Sequence, residues 1–212
     1  MKNLLILTVF IFVYKTTYSQ PQKEFEGVIW YKIDYFNPDG TDCTDHTKMF
    51  LGNYIKIYIK EGRFLQNYPQ SPLSDYYFNT KTNKTYSKFI MSDSIYVRSL
   101  EIEKYPALSS QKVDTSIIIL GYLCKGYRQI SAIDNSLFFY AEDLFQSPKY
   151  VNKKFLGETY NRYVADTRSI YLKRVTIEED LIIVMTAFSI QSKKLSNKTF
   201  KLPHLPRVFL AY

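Results

Sequence analysis

Histidine is nearly missing from this chain: it occurs only as His46 and His204 in 212 residues. Imidazole is the side chain that ordinarily titrates near neutral pH, so two copies leave little general acid–base material. Glycine is scarce too, at seven, and none builds a phosphate-cradling loop or a Gly-x-Ser-x-Gly nucleophile elbow. The two cysteines, Cys43 and Cys124, form no pair at zinc-ligand spacing. Six alanines are a small supply of the best helix former. Basic residues are scattered, and pairs such as Lys153-Lys154 and Lys193-Lys194 are too short for a nucleic-acid stripe. Nothing here calls for a cofactor, a metal or a nucleic acid, and no catalytic constellation emerges.

What is abundant is aromatic: 20 Tyr and 15 Phe. Aromatic and β-branched residues fit pleated, half-buried surfaces. Residues 25–36 alternate, with Phe25, Ile29, Tyr31, Ile33 and Tyr35 on one side and Glu26, Lys32 and Asp34 on the other. That period marks an antiparallel strand with one solvated face. Trp30, the single tryptophan, falls on the polar face, either half-covered or in a contact surface. Residues 54–60 repeat the pattern with Ile55, Ile57 and Ile59 against Lys56 and Lys60. Asn37-Pro38-Asp39-Gly40 is a turn, because Pro presets φ and Gly accepts positive φ.

Further strands are predicted over 63–68, 75–79, 85–90, 95–102, 113–120, 122–130, 136–142, 169–177 and 181–191. Gly121 marks a bulge or sharp bend. Residues 104–111 read as a connection and 203–212 as irregular. Residues 143–161 lack period two and leave room for a short helix acting as a lid. The predicted fold is all-β, mostly antiparallel: a twisted half-barrel of about nine to eleven strands with at most one or two short helices.

The N-terminus reads as a secretory signal. Lys2 precedes an uncharged run over 4–14, and small residues stand at Thr17 and Ser19. A membrane-spanning helix needs roughly 20 apolar residues, about twice this run. Cleavage is expected after Ser19, leaving one β domain over 20–212 with no transmembrane span. Lys2 and Lys15 leave with the signal, so 26 basic residues face 20 acidic ones, an ordinary balance for solubility. A chain of this length buries about 70% of its unfolded surface.

Three segments carry a family resemblance. The first is the opening strand, Phe25 through Tyr31. The second is Ile119-Leu120-Gly121-Tyr122-Leu123-Cys124-Lys125-Gly126-Tyr127, followed by Phe139-Tyr140-Ala141-Glu142-Asp143-Leu144. The third is Met185-Thr186-Ala187-Phe188 through Phe200-Lys201-Leu202-Pro203. Together they resemble exported LolA/LolB-like half-barrel proteins of Gram-negative bacteria, loosely the GLPGLI-type group. The GLPGLI string itself is absent; residues 165–170 stand near where it would fall. The resemblance implies an antiparallel half-barrel with a hydrophobic concave face, in the periplasm or cell envelope, and no established activity.

From this follows the expectation of a non-enzymatic envelope protein binding a lipid, another hydrophobic ligand or an envelope protein on a concave β surface. A structural or assembly factor with a filled core is the alternative, and a hydrolase comes third. The expected lining is Ile29, Tyr31 and Ile33 from the first strand and Ile55, Ile57 and Ile59 from the second. The last strand adds Ile183, Met185 and Ala187, or the opposite set Ile182, Val184 and Phe188, since periodicity alone does not say which face is concave. Cys43 and Cys124 are able to pair in an oxidising compartment, but a turn residue and a mid-strand residue favour a buried, unpaired Cys124. Asp42, Cys43, Asp45 and His46 form the densest set of possible metal ligands. They follow a turn, where such residues serve backbone hydrogen bonding.

Overall fold

The computed structural model describes residues 22–79, 82–100, 107–150 and 160–210. The expected signal segment lies outside them. The strands are β1 (Gly27–Phe36), β2 (Tyr54–Lys60), β3 (Arg63–Asn67), β4 (Leu73–Asn79), β5 (Lys84–Phe89) and β6 (Ile95–Ser99). They continue with β7 (Ala107–Ile119), β8 (Tyr122–Ser131), β9 (Asn135–Phe145), β10 (Ser169–Ile177), β11 (Ile182–Ser192) and β12 (Arg207–Phe209). All belong to one sheet, in the order β12-β6-β5-β4-β3-β2-β1-β11-β10-β9-β8-β7. Among the described residues only β12 runs parallel to its neighbour, β6. Among the described residues two short α-helices accompany the sheet, α1 (Thr44–Leu51) and α2 (Tyr160–Thr167). The expected mostly antiparallel β fold is what forms.

Hairpins do most of the connecting. Glu61-Gly62 and Leu120-Gly121 both take positive φ, at 48° and 69° and at 51° and 83°. Two consecutive positive-φ residues match the right-handed twist of paired strands. Gly121 is thus a tight turn between β7 and β8.

Alternation decides the faces. Ile29 stands opposite Ile57 on β2 and Ile190 on β11, and Ile33 stands opposite Met185. These side chains form the inner face, with Ile29, Tyr31, Ile33, Ile55, Ile57 and Ile59 all buried. Two bulges then switch the alternation. On β11 the register jumps at Phe188, between the partners of Trp30 and Tyr31. On β10 it jumps between Tyr171 and Lys173. Tyr171 and Arg174 therefore face the same side although their numbers differ by three.

The sheet stays open but bows. Phe78 on β4 and Arg174 on β10 are five places apart in the strand order, about 24 Å across a flat sheet. They nonetheless line one cavity of about 80 Å³.

One half of the inner face is filled by α2. Tyr163 and Val164 are fully buried there. The Tyr163 ring stacks on Phe138 at 4.6 Å and meets Tyr127 at 5.6 Å and Tyr171 at 5.8 Å. Segment 143–161 reaches this cover only at its end, where α2 begins at Tyr160. β9 continues to Phe145, which pairs with Ser169, and a single 3-10 turn follows at Pro148–Tyr150. Residues 151–159 lie outside the described ones.

Two expected irregular stretches are strands. Residues 107–111 belong to β7, an outermost strand whose Ser, Gln and Lys side chains stand largely exposed and show no apolar face. The tail forms β12 because its prolines precede it: the Pro206 carbonyl accepts from the Ile95 amide at 2.8 Å, and Leu210 donates to Val97 at 2.9 Å.

Candidate functional site

The half of the inner face left uncovered by α2 is a groove of about 400 Å³. Its floor is Ile33, Ile55, Ile183 and Met185, and its rim carries Phe50, Leu51 and Phe89. The rim residues are exposed, Phe50 at 60%. Clefts of about 300–1,000 Å³ with mostly apolar walls are the usual size and lining for small-molecule sites. The polar lining groups include Ser71, Arg174, Thr176 and Glu178.

Helix α1 positions part of that rim. Asp42 Oδ1 accepts from the Thr44 amide at 2.8 Å as the helix begins. The hydroxyl of Thr44 accepts from the Tyr35 amide at 2.8 Å, clipping the helix to the end of β1. Gly52 ends it with φ of 73°. Its carbonyl accepts from the Tyr35 hydroxyl at 2.8 Å. Burial of that phenol pushes the Tyr35 pKa up to about 12, so Tyr35 meets the groove as a neutral, committed donor. None of the helix residues is buried, and Phe50 and Leu51 stand exposed at the mouth.

The expected lining residues divide three ways. Ile33, Ile55, Ile183 and Met185 line the larger groove. Tyr31, Ile57 and Ile59 line the smaller cavity beside it, with Phe64, Phe78 and Tyr171. Ile29 lines neither and is fully buried. Of the two sets on β11, Ile183, Met185 and Ala187 face inward. Phe188 faces outward, 6.4 Å from Trp30 and 5.9 Å from Tyr54. Trp30 is half-covered there, with the Lys56 ammonium 4.6 Å above its ring.

Arg174 is the lining residue that alternation misses. It borders both cavities. Its Nε donates to Ser136 Oγ at 3.2 Å, and its Nη2 to Ser136 Oγ at 3.0 Å and Asp134 Oδ2 at 3.3 Å. Counting every second residue of β10 groups Arg174 with Ile170 and Leu172, whereas the bulge places it with Tyr171. An arginine in a strand otherwise rich in buried residues was the available signal.

Cys43 and Cys124 are both free, Cys124 fully buried. Burial pushes the Cys124 thiol pKa up, which keeps it protonated and unreactive. Among the described residues no group of three or more His, Cys, Asp or Glu stands as a metal site. Asp42 holds its carboxyl below the usual range by accepting from the Thr44 amide. Among the described residues no helix is long and apolar enough to cross a membrane.

No protein-family model matches the chain, and no curated protein matches its sequence. Two solved structures of PNGF-II, in P21 and C2 crystal forms, align over 86% and 85% of this chain, with TM-scores of 0.48 and 0.46 and identities of 15% and 18%. The chain spans only 32% and 31% of their length. A LolA superfamily protein from Nitrosomonas europaea aligns with a TM-score of 0.38 and 9% identity, over 86% of this chain and 92% of its own. The groove, not these likenesses, carries the functional reading.

Proposed function

We propose that this is a non-enzymatic carrier or receptor of the cell envelope, exported by a cleaved signal and holding a hydrophobic ligand in the groove of its inner face. The observation that carries the reading is the groove itself. Its floor is aliphatic, its volume is about 400 Å³, and its mouth leaves Phe50, Leu51 and Phe89 in water. Exposed apolar groups around a cleft mark a place where another apolar surface docks. A filled-core assembly factor would have this end packed as α2 packs the other.

Kinship with the exported LolA/LolB-like group, and with its GLPGLI-type members, belongs to the same proposal. So does cleavage after Ser19; N-terminal sequencing of protein from its native host is expected to begin at Gln20.

Uptake of Nile red, a neutral apolar dye, by delipidated and folded protein tests the binding role. The wild type is expected to take up the dye with a blue-shifted emission. Ile183→Trp, at a partly exposed floor position, is expected to fill the groove and lose most of that uptake without loss of fold. Folded wild type that leaves the dye in water would overturn the carrier reading in favour of an assembly factor.

A further inference from the structure

We propose that Arg174 recognises the anionic head of a single-chain amphiphile whose tail lies in the groove; this rests on the binding role proposed above. Among the described residues lining either cavity, Arg174 is the one cation, and it borders both. Its side chain is 29% exposed, so part of the guanidinium is still reachable. The walls around it are largely aliphatic and aromatic, which weakens competition from water for any charge that arrives.

The guanidinium is held in place rather than consumed. Ser136 and Asp134 engage Nε and Nη2. The Phe138 ring lies 5.1 Å from its central carbon. Asp134 is fixed in turn, its Oδ1 accepting from the Ser131 hydroxyl at 2.7 Å. These contacts leave Nη1 with no acceptor among the described residues. A planar fork fixed on one side and free on the other suits a carboxylate or phosphate oxygen. The other charged lining group, Glu178, is exposed and lies beyond Thr176 on the same chain segment. An anionic head therefore belongs at Arg174 and not at the Glu178 end. The chemistry fits a long-chain carboxylate, with a phosphate or sulfate head, also anionic, as the close variant.

Dodecanoate, dodecyl phosphate and dodecanol carry one chain and differ only in the head. Their displacement of Nile red at neutral pH gives the preference directly. The wild type is expected to bind the two anions about tenfold or more tighter than the alcohol, the scale of one charge-assisted hydrogen bond. The ratio of the two anions tells which head is the better match. Arg174→Met is expected to bring anion and alcohol within about twofold. Because that change strands Asp134, the double variant Arg174→Met with Asp134→Asn removes both charges and keeps the test open if the single variant unfolds. Dye uptake with equal affinity for the three compounds, or a preference that survives the loss of Arg174, overturns the assignment and leaves the carrier reading standing. No dye uptake by folded wild type overturns both.

Discussion

Tyr31 on β1 donates its hydroxyl to the backbone carbonyl of Tyr171 on β10, at 2.7 Å and across 140 residues of chain. β11 runs between those two strands, so the bond reaches over a whole strand on the inner face. The two rings also meet at 5.8 Å. Tyr31→Phe keeps the ring and removes the donor. A net loss of about 1 kcal/mol is expected from one buried hydrogen bond. Urea denaturation reads it, and an unchanged midpoint would show that the bond contributes nothing.

Gln129 on β8 is fully buried, and neither of its side-chain amide atoms has a hydrogen-bond partner among the described residues. A desolvated amide without partners costs about 1–3 kcal/mol. Gln129→Leu keeps similar bulk and removes the polar group. It is expected to raise stability by about 1 kcal/mol. Lower stability in the variant, measured with guanidinium, would mean the amide is satisfied in solution.

Gly27 opens β1 where a side chain has no room. A Cβ there would sit 2.1 Å from the Gln191 carbonyl oxygen and 2.9 Å from the Phe25 ring. The ring can turn; the backbone carbonyl belongs to the paired strand. Gly27→Ala is expected to cost about 1–3 kcal/mol, the scale of overpacking. A thermal midpoint equal to the wild type's would refute the close approach of the two strands.

Burial raises the pKa of Tyr35 and of Tyr127 to about 12. For Tyr127, the neighbouring Asp166 carboxylate, which accepts its hydroxyl at 2.7 Å, acts in the same direction. An unfolded tyrosine titrates near pH 10, so the folded state holds these protons more tightly. Their contribution is full below about pH 10 and is lost as pH rises from about 10 towards 12. Stability measured near pH 8 and near pH 11 should fall more for the wild type than for Tyr35→Phe with Tyr127→Phe. Equal falls would place the alkaline sensitivity elsewhere.

Much of the fold was legible because one face of most strands is wet. Ile29, Tyr31 and Ile33 against Lys32 and Asp34 show a strand, its period and its buried side in six residues. The same rule groups Ile33 with Tyr31 on β1 and Ile55 with Ile57 on β2, but leaves open which face of β11 joins them. What escaped has physical causes. A bulge at Tyr171–Lys173 reverses the alternation, and so hides Arg174 from any count by twos. Helix α1 buries none of its residues, so no apolar stripe announces it. β7 lies outermost and largely exposed, and its polar half looks like a loop. The tail strand β12 is three residues long and borrows its pairing from β6.

That short tail strand has a consequence for how the molecules behave in company. An open sheet ends in two rows of unpaired amides and carbonyls, each a template on which another chain can polymerise. At one end β7 is blunted by two register irregularities and by Lys112 and Asp114. At the other end β6, with buried Ile95 and Val97, is covered by β12 instead. Arg207–Phe209 therefore acts as a self-supplied plug. Losing it would bare the β6 flank as a sticky end, inviting filaments built strand on strand.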